Sequence, residues 1–168
     1  LCEHHFLIKR FDTLSTIPFG SLMIYLEELR SAFNIGNILR TVEAFRLGTV
    51  IFSTNTPFIN HPKIQKTAMG VSSIVPSQQG DLSTLIRPLI AVETLNKAFS
   101  LYDFSFPKTF SLLFGNEEYG LKKATLDQAD AVVQIPLVGS KNSLNVANDF
   151  AIVAGEISRQ TSLLKPED

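Results

Sequence analysis

The sequence predicts an α/β fold, with a mainly parallel sheet and helices on both of its faces. Short apolar runs alternate along the chain with segments whose apolar residues recur every three or four positions. This pattern is typical of strands that alternate with helices. Several of the short runs are apolar at nearly every position, which is typical of parallel strands buried on both faces. The length of 168 residues and the hydrophobic content of 45% allow about 70% of the extended surface to be buried.

Five runs are predicted to be strands, since each is short and apolar and is followed by polar, proline or glycine residues. In chain order they are Leu22–Leu26, residues 49–52, Leu89–Val92, and residues 110–114 and 131–135. Ligands of parallel sheets bind beyond the carboxyl ends of the strands. The loops that follow these runs are therefore the candidate functional loops.

Helical spacing of apolar residues is clearest over residues 35–45 and 146–157, and each segment predicts an amphipathic helix. Weaker spacing predicts helices over residues 63–69 and 122–128. The sequence contains no internal repeat, no low-complexity tract and no long Pro/Gly/Ser linker, so we expect a single domain.

This domain is expected over residues 1–168, with residues 1–20 as an N-terminal extension and residues 21–160 as its core. No apolar run reaches the roughly 18 residues of a membrane span, and residues 13–26 lack the cleavage site of a signal peptide. Cys2 is the single cysteine, which excludes an internal disulfide. A cytoplasmic location and no membrane association are expected.

Charge and motifs exclude several kinds of site. The net charge is −1, so a nucleic acid would have to be bound by a local basic patch. Neither G-x-G-x-x-G nor G-x-x-x-x-G-K-[ST] occurs, which excludes the usual dinucleotide and P-loop signatures. His4, His5 and His61 lack the spacing of metal ligands, and no metal is expected. The pair Glu27 and Glu28 is expected in water at a strand end.

The first candidate loop lies between the first predicted strand and the first predicted helix. Asn34 is predicted to be the N-cap of that helix, whose first amides point toward any bound anion. With Arg30 and Arg40 nearby, this end of the helix could bind phosphate or carboxylate. The same residues are compatible with an ordinary capped helix that carries two solvated arginines.

The second candidate loop runs from Gly115 to Gly120, directly after a predicted buried strand. Two glycines around a polar segment permit a sharp backbone path and the close approach of a ligand. The residues between them include Glu117, which could point back across the end of the sheet. An ordinary acidic turn fits the same composition.

The third candidate loop follows Pro136, which ends a strand because it has no amide hydrogen to donate. Ser143 or Asn142 is predicted to cap the final helix, which would leave Asn145 in its first turn. A cap explains Ser143, but it does not explain the apolar Leu144 between polar neighbours.

Taken in this order, the three loops resemble the signature motifs of the SpoU (TrmH-like) class of the SPOUT superfamily. Members of this class are S-adenosylmethionine-dependent RNA ribose 2'-O-methyltransferases. The resemblance covers roughly residues 22–160, and the stretches that carry it are residues 34–41, 113–121, 135–137 and 143–146.

The resemblance implies a trefoil knot in the carboxyl-terminal part of the fold, whose loops form the pocket for S-adenosylmethionine. Backbone groups and apolar side chains suit an adenosine, which needs a flat apolar slot and a few fixed hydrogen bonds. Carried over residue by residue, the cofactor-binding positions are Leu113, Phe114, Gly115, Ile135, Leu137, Ser143 and Leu144.

The resemblance also implies catalytic roles. Arg40 is the residue that the class places beside the ribose hydroxyl, and Asn34, Glu117, Ser143 and Asn145 would orient it and the acceptor nucleotide. Guanidinium is protonated in water, so we expect Arg40 to hold a phosphate and stabilise the developing alkoxide, not to act as a base. The implied RNA-binding residues are Arg30, Arg40 and Lys141.

Members of the class pair through the last helix, and an arginine of the first motif completes the partner's site. Ala147, Ala151 and Ala154 would leave one side of that helix smooth, so we expect a homodimer that acts on tRNA or rRNA. Two alternatives remain open: a non-catalytic RNA-binding or ribosome assembly factor, and an RNA base methyltransferase of the same superfamily.

Overall fold

The computed structural model describes residues 17–161 and confirms the predicted α/β fold. Seven strands form one sheet in the order β3-β2-β1-β6-β4-β7-β5, and every neighbouring pair is parallel. The strands are β1 Leu22–Leu26, β2 Gly48–Phe52, β3 Ser77–Gln79, β4 Leu89–Val92, β5 Phe99–Ser100, β6 Ser111–Phe114 and β7 Ala131–Gln134.

Within residues 17–161, four α-helices cover the sheet: α1 Ala32–Phe45, α2 Pro62–Thr67, α3 Lys123–Leu126 and α4 Val146–Gln160. α1 contacts both α2 and α4. Short 3₁₀ turns occupy Val71–Ser73 and Leu82–Thr84.

Alternate residues of each central strand enter cores on opposite faces of the sheet, as the two-residue period of a strand requires. Leu112 and Phe114 of β6 belong to the larger core beneath α1 and α4. Leu113 belongs to a smaller core on the other face, together with Tyr25 and Leu121. Leu126 of α3 packs against this second core, so helices lie on both faces, as predicted.

The caps of the two long helices differ from the sequence predictions. Ser31, not Asn34, is the N-cap of α1, and its hydroxyl accepts a hydrogen bond from the Asn34 amide. Asn145, not Ser143 or Asn142, is the N-cap of α4, and its side chain accepts from the Ala147 amide at 2.9 Å. Both predicted caps were wrong because several neighbouring residues could cap equally well, and only the docking of each loop selects one.

The prediction that Glu27 and Glu28 lie in water is wrong for Glu27, which is only 5% exposed. Its carboxylate accepts hydrogen bonds from the Lys122 amide at 2.8 Å and from the Thr125 hydroxyl. Glu28 is more exposed and pairs with the Lys122 ammonium at 2.5 Å. Glu27 thereby fixes the start of α3 to the end of β1.

The trefoil knot implied by the resemblance stays a prediction for the part of the chain that contains β6, β7 and α4. Cys2, His4 and His5 lie outside the described residues. No helix within residues 17–161 is long and apolar enough to cross a bilayer. Over the same residues, no group of three or more His, Cys, Asp or Glu side chains could hold a metal ion.

Candidate functional site

The three candidate loops lie at one edge of the sheet. They follow β1, β6 and β7, and β6 is hydrogen-bonded to β1 on one side and to β4 on the other, with β7 next to β4. Because neighbouring parallel strands end at the same edge, loops distant in sequence are brought together there. The loop after β4 opens onto the same edge.

A chain of side-chain hydrogen bonds connects the three loops. The Asn34 amide group donates to Glu117 Oε1 at 3.2 Å, and Asn34 Oδ1 accepts from Asn145 Nδ2 at 3.0 Å. Asn34 is 6% exposed. One residue from each sequence motif therefore takes part in a single polar contact network.

The Glu117 carboxylate also accepts hydrogen bonds from two backbone amides at the start of α1. Arg30 N donates to Oε2 at 3.0 Å, and Ser31 N donates to Oε1 at 3.0 Å. Partial burial raises the pKa of this carboxyl, but hydrogen bonds from Arg30, Ser31 and Asn34 lower it by more, so the pKa lies below its usual value. Glu117 is ionised at neutral pH and anchors the amino end of α1.

Two features shape the second loop. Asn116 forms a backbone bridge with Gly120, and its side chain both donates to Glu28 O at 2.8 Å and accepts from the Glu118 amide at 2.9 Å. A Cβ on Gly115 would lie 2.2 Å from the carbonyl carbon of Gly120. Glycine is required there because the two ends of the loop touch.

These loops enclose what we call the motif cleft, which consists of three adjoining cavities. Cavities of about 60 Å³ and about 220 Å³ share five lining residues, and a third of about 300 Å³ continues past β7. Six of the seven predicted cofactor-binding residues line the cleft: Phe114, Gly115, Ile135, Leu137, Ser143 and Leu144.

Leu113 is the exception among these seven residues. Its side chain is fully buried in the smaller core on the other face of the sheet, because residues 112 and 114 of the same strand face the larger core. Lys141 lines the third cavity beside Gly139 and Asn142. Arg30 lies at 3.4 Å from Glu118 and over the ring of Tyr119.

Arg40 does not line the motif cleft of its own chain. It lines a separate cavity of about 380 Å³ between α1 and α4, called here the α1–α4 groove. Asn37, Ala147 and Ala151 lie on the same groove. Of the three alanines expected on the smooth side of α4, Ala147 and Ala154 belong to the buried core and only Ala151 is exposed, so they do not form one exposed face.

Sequence reasoning missed two carboxylates of the cleft. Glu93 and Asp149 line both of its smaller cavities. Burial and the nearby Glu93 raise the pKa of Asp149 to about 6. Glu93 directly follows a predicted strand, a position that could have pointed to it. Asp149 lies within a helix, where an isolated acid usually indicates a solvated face.

A wholly parallel sheet, with a cleft built from strand-to-helix loops at its carboxyl edge, defines an α/β protein that would bind its ligand beyond the ends of the strands. The chain belongs to the SpoU rRNA Methylase family, whose model matches residues 21–155.

Individual relatives agree with this assignment. The chain is 26% identical over 159 residues to the 23S rRNA (guanosine-2'-O-)-methyltransferase RlmB of Neisseria meningitidis, covering 90% of this chain and 64% of that protein. It thus spans less than two thirds of that relative's length.

Solved structures share the fold. An AdoMet-bound rRNA methyltransferase from Sinorhizobium meliloti matches with a TM-score of 0.76 at 24% identity, over 84% of this chain and 57% of that one. A second solved structure, described as giving structural insights into the 2-OH methylation of C/U34 on tRNA, also matches. Its TM-score is 0.75 at 27% identity, over 83% of this chain and 95% of that one.

Proposed function

We propose that this protein transfers a methyl group from S-adenosylmethionine to a ribose 2'-hydroxyl of tRNA or rRNA. The observation that carries the proposal is the hydrogen-bonded contact of Glu117, Asn34 and Asn145. It joins the three motifs of the SpoU family around one cleft. The names of the family's curated relatives, among them a 23S rRNA 2'-O-methyltransferase, support the reaction and the substrate class.

The chemistry of the motif cleft fits S-adenosylmethionine. Ile135, Leu137 and Leu144 provide apolar surface for an adenine ring, and the carboxylates of Glu93 and Asp149 line the same cavity. Phe114, Gly115 and Ser143 would complete the binding site, whereas Leu113 would contribute only through its backbone. When bound, the cofactor supplies a methyl group on a positively charged sulfur.

The protein's own part in the reaction is to orient the acceptor and to stabilise charge. The ribose oxygen loses its proton as it gains the methyl group, and water or a phosphate oxygen would accept that proton. Arg40 would hold the adjoining phosphate and stabilise the developing alkoxide. Asn34, Glu117 and Asn145 would fix the loops against which the nucleotide lies, with Ser143 at the cleft wall.

The location of Arg40 supports a homodimer. Its position on the α1–α4 groove, away from the cleft of its own chain, suits a residue that completes the site of a partner. Asn148 and Ala151 of α4 line the same groove, which makes the last helix part of the proposed interface. Arg30 and Lys141 would contact the RNA backbone from the rim of each cleft.

We further propose that residues 1–168 act as one methyltransferase domain, with residues 1–20 as an extension of the core at residues 21–160. A cytoplasmic location follows from the proposed RNA substrates.

Two measurements on the full chain test the proposed function. Isothermal titration calorimetry should detect binding of S-adenosylmethionine. Incubation with total RNA and labelled cofactor, followed by mass analysis of nucleosides, should then yield a 2'-O-methylated nucleoside. Failure to bind the cofactor would favour an assembly factor, and a methylated base would favour the base methyltransferase. Either result would contradict the proposal.

A further inference from the structure

Two carboxylates line the same part of the motif cleft and lie close enough to repel each other. Glu93, at the end of β4, and Asp149, in the first turn of α4, line the same two cavities. Glu93 is held in place because its Oε2 accepts the Leu121 amide at 3.0 Å. Within residues 17–161, the carboxylate of Asp149 makes no hydrogen bond or ion pair.

No lysine or arginine lines either of these two cavities within the described part of the chain. Their other titratable residues are Glu117, Glu118 and Tyr119 of the loop after β6. Glu117 accepts its hydrogen bonds from the start of α1, and Glu118 faces Arg30. The carboxylates of Glu93 and Asp149 therefore have no cationic side chain among the described residues on the walls of these two cavities, and Lys141 lines only the third cavity of the cleft.

The packing of Asp149 makes this uncompensated charge costly. Burial and the carboxylate of Glu93 both disfavour its ionised form and raise its pKa to about 6. At neutral pH the side chain is nonetheless mostly ionised. A cation placed between the two carboxylates would relieve their repulsion and would be bound more tightly than a neutral ligand of the same shape.

We propose that Asp149, together with Glu93, binds the positive charge of the methyl donor and makes the motif cleft selective for a cationic ligand. This inference rests on the proposed function, since it concerns the same cleft. S-adenosylmethionine carries a sulfonium, an ammonium and a carboxylate and has a net positive charge, whereas 5'-methylthioadenosine shares its adenosine and its sulfur but carries no charge.

The test compares the affinities of the full chain and its variants for these two ligands by calorimetry at about pH 7.5, where Asp149 is ionised. Asp149→Asn keeps the size of the side chain and removes its charge. We expect it to bind S-adenosylmethionine about tenfold more weakly and 5'-methylthioadenosine with less than about a twofold change. Glu93→Gln retains an oxygen for the Leu121 amide and should produce the same selective loss.

Asp127→Asn is the matched control, because it removes one negative charge from the exposed side of α3. Asp127 pairs there with Lys123 at 2.6 Å and does not line the cleft. Its affinities for both ligands should equal those of the wild type, since exposed charges are largely screened by salt.

The pH dependence gives a second readout. Neither positive charge of the donor is lost on acidification, but Asp149 becomes protonated as the pH falls through its raised pKa. Wild-type affinity for S-adenosylmethionine should therefore weaken between about pH 7.5 and about pH 5, and it should weaken less in Asp149→Asn.

Three results would overturn the inference. Asp149→Asn and Glu93→Gln could both retain wild-type affinity for S-adenosylmethionine, or they could lose affinity for both ligands equally. Each of these two results leaves the proposed function intact. A wild-type protein that does not bind S-adenosylmethionine would instead contradict the proposed function as well.

Discussion

Asn34 shows how one side chain can depend on two distant segments. Its carboxamide donates to Glu117 and accepts from Asn145, so the position requires both a donor and an acceptor. A buried residue that offers only one of these would leave a partner unsatisfied. The sequence placed Asn34 at a helix start but gave no indication of this double role.

The substitution Asn34→Asp tests this role. It removes the donor and places a second carboxylate against Glu117, so the two acids would share a proton and their joint pKa would rise. A raised pKa in the folded state means that stability falls as the pH rises. We expect a loss of about 2 kcal/mol in the free energy of unfolding near pH 8, and a smaller loss near pH 5.

Urea unfolding of wild type and variant at the two pH values measures this difference. Asn37→Asp, on the same helix but in the α1–α4 groove, is the control and should show little pH dependence. An equal loss at both pH values would show that repulsion between carboxylates is not the cause.

At the scale of the element, α1 begins at a cap other than the predicted Asn34 and ends at a residue other than glycine. Ser31 caps its amino end. Its carboxyl end closes at Arg46, which adopts a left-handed conformation with φ 51°, the role that glycine usually fills. Along the helix, a Cβ on Gly36 would lie 2.0 Å from Thr67 Oγ1, so this glycine permits the close approach of α2.

Ser31→Ala is expected to destabilise the fold by about 1 kcal/mol, because the Asn34 amide loses its capping hydroxyl. The backbone amide of Ser31 that binds Glu117 is retained, so cofactor affinity should change little. Thermal and urea unfolding provide the measurement. Ser105→Ala, at an exposed loop position, should change stability by less than about 0.5 kcal/mol, and an equal effect of the two substitutions would contradict the capping role.

At the scale of the whole molecule, we propose that each active site is formed by two chains. The cleft of one chain and Arg40 on the α1–α4 groove of another would together form a complete site. Two inactive variants should then complement each other when both are present in one dimer.

The pair to co-express is Arg40→Ala and Leu144→Trp, the latter filling the cleft with a large ring. Each is expected to be inactive alone. Mixed dimers contain one site with an intact cleft and an intact Arg40, so random pairing should restore about a quarter of wild-type methylation. Arg40→Ala co-expressed with the double variant should restore none. The absence of recovery in the first mixture, despite mixed dimers, would show that Arg40 acts within its own chain.

The strands and long helices could be predicted from the sequence because they depend on local periodicity. The central strands are apolar at nearly every position, and α1 and α4 repeat their apolar residues at helical spacing. β3 and β5 were not predicted. β3 reads SQQ and β5 has only two residues, so each is a strand only because its neighbour in the sheet supplies hydrogen bonds.

By itself, the sequence determined the α/β class, the three candidate loops and the family to which the chain belongs. Only the tertiary structure decided which residues cap the helices, that Leu113 points away from the cleft, that Arg40 lies on a separate groove, and that Glu93 and Asp149 line the same cavity. The periodicity of apolar residues depends on residues close together in the chain, whereas these contacts join segments that are far apart in it. Such contacts are fixed by the order in which parallel strands assemble.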